Sequence, residues 1–172
     1  MDSFGKIIGI YIGIVLMFIF PILYFAQKQD AITQTYVLTE TSYFVDSIKN
    51  SGYITDDMYQ RFIKKLDATN HLYTIEIEHS HPVINPVYDE KTNVFMDEFR
   101  EHIYITYTDT IMEGVYGSDR VYKFNQGDYI TVKVYNRTKT YATKLQELLF
   151  SKRMPVEQIY VVYGGAIRDE NY

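Results

Sequence analysis

Ile7-Ile8-Gly9-Ile10-Tyr11-Ile12-Gly13-Ile14-Val15-Leu16-Met17-Phe18-Ile19-Phe20-Pro21-Ile22-Leu23-Tyr24-Phe25-Ala26 is a run of twenty residues without a charge. At about 1.5 Å of rise per residue, a helix of this length spans about 30 Å, the hydrocarbon thickness of a bilayer. No Gly, Pro or Asn cluster separates it from the polar helical pattern that continues to Asn50. The run therefore predicts one long helix, half in lipid and half in water, that ends in a globular head. The expected division is a transmembrane anchor over residues 1–27 and an α+β head over 28–172, with 28–51 as the outer half of the helix. Pro21 can bend such a helix without ending it, because the freed carbonyl finds other partners in a membrane bundle. A cleaved signal peptide fits less well. The run is long, only Lys6 is basic before it, and the best cleavage position, Tyr24-Phe25-Ala26, has a large residue where a small one is needed.

Roughly 145 residues follow the anchor, enough for one domain with its own core. The net charge of −5 lies in the head, since Asp2 and Lys6 cancel. With no basic patch, nucleic acid is not an expected partner. There is no cysteine, so no disulfide supports the head. Eighteen tyrosines and ten phenylalanines stand beside no tryptophan, a composition suited to a thin sheet or a contact surface, since a tyrosine ring packs while its hydroxyl meets water. Lys6 and Lys28 flank the span almost symmetrically, so the positive-inside rule barely sets its direction. The expected arrangement is a single-pass protein of the cell membrane with its short N-terminus inside and the C-terminal head outside.

Gly5, Gly9 and Gly13 recur every four residues along one stripe of the span, the spacing that lets a second helix approach closely in lipid. Together with Pro21 they are the expected packing positions of the membrane half, although glycine is also simply common in membrane helices. Beyond the span, Val37, Thr41, Phe44 and Ile48 form an apolar stripe at helical spacing, with Tyr36 and Tyr43 beside it. Gly52 is the expected stop. A second helix is expected from Thr55, its apolar face made of Met58, Phe62, Ile63 and Leu66, with Asn70 at its end. In Thr74-Ile75-Glu76-Ile77-Glu78 the period becomes two, placing isoleucines on one side and glutamates on the other. Residues 81–93 read as loop, and 102–108 as a strand with Ile103 and Ile105 inward. A helical turn is expected over 109–117, and a hairpin joins 121–124 to 129–135 around Asn125-Gln126-Gly127-Asp128. A helix over 140–150 is expected to bury Tyr141, Leu145, Leu148 and Leu149. A last strand, 158–163, is expected to break at Gly164-Gly165. Together these give an antiparallel sheet of four or five strands packed on the outer half of the long helix.

No residue set in the sequence compels a catalytic, cofactor-binding or metal-binding reading. His79 and His81 share a strand face, but alternation sends Glu76 and Glu78 to the other side, and a metal needs three or four converging ligands. Asp56 and Asp57 suit a helix start, and Asp169 and Glu170 a solvated tail. Gly164-Gly165 lacks the lysine and following helix of a phosphate loop. There is no serine elbow and no cysteine nucleophile. Asn136-Arg137-Thr138 matches a glycosylation sequon, a three-residue pattern that arises readily by chance.

The layout of one apolar helix with a central proline, an amphipathic second half and a small α+β head resembles a type IV pilin-like subunit. More closely, the chain resembles the TadE-like pseudopilins and minor pilins encoded with Tad-type pilus systems in clostridia-like Gram-positive bacteria. The similarity is carried by Phe25-Ala26-Gln27-Lys28-Gln29-Asp30, by Phe44 through Thr55, by Tyr59 to Thr69, by Gly127-Asp128-Tyr129 and by Tyr160-Val161-Val162-Tyr163-Gly164-Gly165. The resemblance implies a structural or assembly subunit of a surface pilus or secretion apparatus. Its partners would be the lipid bilayer and other pilin-like subunits or platform proteins, held as homo- or hetero-oligomers through the N-terminal helix. Pilin precursors usually carry a basic leader, a glycine at the cleavage point and a glutamate five residues into the mature helix. Here Lys6 follows Gly5 and the first glutamate is Glu40, a departure that suits an uncleaved accessory subunit better than a shaft subunit. The alternative is an anchored module that senses or captures a ligand.

Overall fold

In the computed structural model, which describes residues 2–88, 95–156 and 159–168, the chain is α+β. Four helices and two antiparallel sheets, of two and four strands, are seen among the described residues. Helix α1 (Asp2–Ser51) runs 50 residues without a break at Pro21, a length of about 75 Å. Its first half is long and apolar enough to cross a membrane, and none of that window is buried by the other described residues. Its second half is built into the core through Val37, Thr41, Phe44, Val45 and Ile48. Gly52, at φ 76°, ends the helix, and its N–H donates to the Ile48 carbonyl at 2.8 Å. Only glycine adopts that backbone region without steric cost.

Strand β1 (Tyr53–Thr55) leads directly into α2 (Asp56–Asp67), where the Thr55 hydroxyl accepts the Met58 N–H and caps the first turn. Phe62 and Leu66 are buried on its inner side, and Asn70 follows in a left-handed conformation. Next come β2 (Tyr73–Tyr88), β3 (Phe95–Tyr107), α3 (Thr108–Tyr116), β4 (Val121–Lys123), β5 (Tyr129–Asn136), α4 (Tyr141–Phe150) and β6 (Tyr160–Ala166). The larger sheet is ordered β3-β2-β5-β6, and β1 pairs with β4 to form the smaller one. The second half of α1 lies against β5 and β6, with α2 and α4 beside it. Ile77, Ile130, Val132, Val134, Ile159 and Val161 face it from the sheet side.

Five local expectations are corrected. Residues 81–88 are strand rather than loop, although they contain Pro82 and Pro86; residues 89–93 lie outside the described residues. The Ile77 N–H points towards the β3 side, where it donates to the Thr108 hydroxyl. The even-numbered positions of β2 therefore turn their nitrogens to the β5 side. There the pairing stops at Ser80 opposite Tyr129, so both prolines sit where no ladder partner is lost. The hairpin over 121–135 does not form. The Phe124 N–H donates to the Gly52 carbonyl and draws β4 to β1, whereas β5 enters the main sheet between β2 and β6.

Ile103 and Ile105 are not inward but 62% and 49% exposed. In the register, Thr106 lies opposite His79 and Tyr104 opposite His81. These pairs share the side that carries Ile77, which leaves the two isoleucines on the outer face. A choice of phase moves every side chain of a strand to the other face. Helix α4 buries Ala142 and Thr143, while Tyr141 and Leu148 are exposed and Leu145 and Leu149 half-buried. Its rotation follows its start. The Thr140 hydroxyl accepts the Thr143 N–H and donates to Asp30 of α1 at 2.6 Å, which brings the small residues against α1. Finally, Gly164 and Gly165 continue β6 instead of breaking it, and Gln158 lies outside the described residues. A Cβ at Gly164 would stand 2.5 Å from the Ile130 carbonyl oxygen, so glycine is there for close strand contact.

Candidate functional site: an uncovered apolar helix and a histidine–aspartate cluster

From Phe4 to Phe25 the large apolar side chains of α1 are almost all exposed, including Ile7, Ile10, Tyr11, Met17, Phe18 and Phe20. In water such a surface is far larger than the apolar patches that single soluble chains leave open. Gly5, Gly9 and Gly13 lie within it, and a Cβ at any of them would meet nothing within 4 Å. The glycines leave a strip of bare backbone that nothing among the described residues fills. Pro21 lies inside the same uncovered half. Val37, Phe44 and Ile48 have the opposite setting: all three are in the core, and Phe44 stacks on Phe62 with ring centroids 4.4 Å apart and planes 1° from parallel. One helix thus carries two surfaces, one closed by the head and one left open.

The second site lies where the main sheet narrows from four strands to two. His79 and His81 are on the core side of β2, and β5 begins opposite them, with Ile130 across from His79. Asp128, the last residue of the tight turn before β5, points into this place. Its backbone N–H donates to the Asn125 carbonyl at 3.1 Å, and its carboxylate takes the Asn125 N–H at 2.7 Å. The two carboxylate oxygens then meet His79 Nε2 at 2.7 Å and His81 Nδ1 at 2.5 Å. The Asp128 side chain is 2% exposed, that of His81 39%. A carboxylate so far from water is stable only if it is well paired. The two imidazoles and the Asn125 N–H are hydrogen-bonded to it.

A shell of rings holds His79. Its Nδ1 meets the Tyr122 hydroxyl at 2.8 Å, and its ring lies edge-on to Phe124 at 4.6 Å. Burial raises the Tyr122 phenol above its ordinary pKa; a hydrogen bond with Thr106 opposes that and the Asp128 charge adds to it. Gly114 of α3 makes room for this tyrosine, since a Cβ there would stand 2.8 Å from the Tyr122 ring. His79, His81 and Asp128 each offer one ligand atom, and the three atoms lie within 4.8 Å of one another. The shared face of the two histidines is legible in the sequence, but the third member is not, because Asp128 arrives from 47 residues beyond His81 through strand pairing. Glu76 and Glu78 are on the other face, where they pair with Tyr135 and Lys133 at 2.6 Å each. His102, opposite Val83, is exposed but lies on the same face of the β2–β3 extension as His79 and His81, and His71 approaches Thr138.

No protein-family model, curated protein or solved structure matches the chain.

Proposed function

We propose that this chain is a non-enzymatic, single-pass membrane protein that serves as a structural or assembly subunit of a bacterial surface pilus or secretion apparatus, akin to the TadE-like pseudopilins. The observation that carries the reading is the division of α1. Its first half is apolar and open, with a bare glycine strip. Its second half forms one wall of the core of an antiparallel α+β head. A helix that only tethers a domain needs no rigid continuation into that domain's core. A subunit whose head must be held at a fixed orientation to its membrane neighbours does. The partners would be the bilayer and other pilin-like subunits or platform proteins that pack along Gly5, Gly9 and Gly13.

The test is to tag the C-terminus, shear intact cells and identify what accompanies the protein by mass spectrometry. Recovery in the sheared fraction with other small apolar-helix chains makes it a filament component. Retention in the membrane with an assembly platform makes it an accessory subunit. Retention with no assembly partner overturns the reading in favour of an anchored ligand-binding module.

A further inference from the structure

We propose that His79, His81 and Asp128 form a binding site for one divalent first-row metal ion of the zinc type. Two imidazoles and one carboxylate are an established ligand set for such ions, and three protein ligands leave a coordination position for water or an outside group. The three ligand atoms already converge within 4.8 Å. Around an ion at about 2.0–2.1 Å from each ligand they would stand about 3.3 Å apart. His79 Nε2 and His81 Nδ1 now stand 2.7 and 2.5 Å from different oxygens of Asp128, so with one oxygen as the ligand the close pair opens by less than about 1 Å and the widest pair, at most 4.8 Å, closes by at most about 1.5 Å.

The outer partners suit both the free and the loaded site. Without metal, His79 donates from Nε2 to Asp128, and its Nδ1 shares a hydrogen bond with the Tyr122 phenol. With metal, Nε2 becomes the ligand and Nδ1–H donates to the same phenol oxygen, the second-shell contact that orients a ligating histidine. Tyrosine, which both donates and accepts, serves either state. The partial exposure of His81 gives the ion a way in. The ion would tie three segments together: β2 at the root of its two-stranded extension with β3, the 125–128 turn, and, through Tyr122, β4.

The test uses the full-length protein in detergent micelles, purified without a polyhistidine tag, stripped by chelator and titrated with Co2+ and Zn2+. One equivalent of Co2+ should bind with the visible absorption of a four-coordinate ion, and Zn2+ should displace it. His81→Gln keeps a polar side chain at this half-exposed position while removing the ligand, and it should weaken binding by about tenfold or more. Tyr122→Phe should weaken it by a smaller factor, and His71→Ala with His102→Ala should leave it unchanged. Zn2+ should raise the melting temperature of the native chain but not of His81→Gln. Absence of stoichiometric uptake overturns the site and leaves a hydrogen-bonded cluster. Uptake that survives His81→Gln, or that is lost with His71 and His102, overturns it equally.

Discussion

Asn136 ends β5 with three side-chain hydrogen bonds. Its amide donates to the carbonyls of Thr138 and Val156 at 2.7 Å each, and its oxygen accepts the Ile159 N–H at 2.9 Å. The residue is fully buried, so the sequon that begins here presents no side chain for a glycan. Asn136→Ala strands three backbone groups and should cost about 2–3 kcal/mol. That corresponds to a fall in melting temperature of roughly 5–10 °C, read by circular dichroism of the micellar protein. The two glycines of β6 offer a paired comparison. A Cβ at Gly164 meets backbone, the Ile130 oxygen at 2.5 Å, whereas one at Gly165 meets the end of the Lys49 side chain at 2.7 Å. Backbone cannot step aside and a lysine tip can. Gly164→Ala should therefore destabilise by about 1–3 kcal/mol, and Gly165→Ala by clearly less; equal melting temperatures would refute the distinction. The smaller effect has its own signature, because Lys49 would be pushed from its ion pair with Asp46 at 2.8 Å. At this scale little is legible in advance. A sequence shows a glycine pair and a sequon, but not that strand contact requires one glycine or that an asparagine amide links three backbone segments.

Among elements, the helices at the head of the chain follow from pattern and the later elements less so. The stripe of Val37, Thr41, Phe44 and Ile48 and the face of Phe62 and Leu66 recur at helical spacing, and burial follows that spacing. Strand β3 is different. Ile103, Tyr104, Ile105 and Thr106 are all residues that strands favour, so alternation alone gives no phase, and the register with His79 and His81 sets it. In α4 the hydrogen bonds of Thr140 accompany a rotation that exposes Tyr141 and Leu148 and leaves Leu145 and Leu149 half-buried, which no periodicity reveals. The metal cluster has the same character, with two members on one strand and a third on a distant turn. The contact of α1 with α2 includes the stack of Phe44 on Phe62 and the Lys65–Glu40 ion pair at 2.5 Å. Phe44→Ala should cost about 3–5 kcal/mol in chemical denaturation, whereas Leu38→Ala, on the exposed side of the same helix, should change stability by at most about 0.5 kcal/mol. In the other half of α1, Gly9→Leu should leave head stability untouched, since its Cβ position is open. On the proposed reading it should, however, abolish co-purification with the subunits that pack along the strip, and unchanged co-purification would remove the glycine strip from the proposal.

For the molecule as a whole, α1 has no joint between its open half and its packed half. The head and the glycine strip therefore share one angular phase about a common axis, as two cams share one shaft. A single alanine inserted after Gln27 would turn the head by about 100° relative to the strip and lift it by about 1.5 Å, leaving both halves intact. Seven inserted residues would bring it back to within about 20°. If the chain assembles as proposed, that assembly should then fail and recover with the helical period while the melting temperature of the head stays constant. A flexible tether would show no such rhythm.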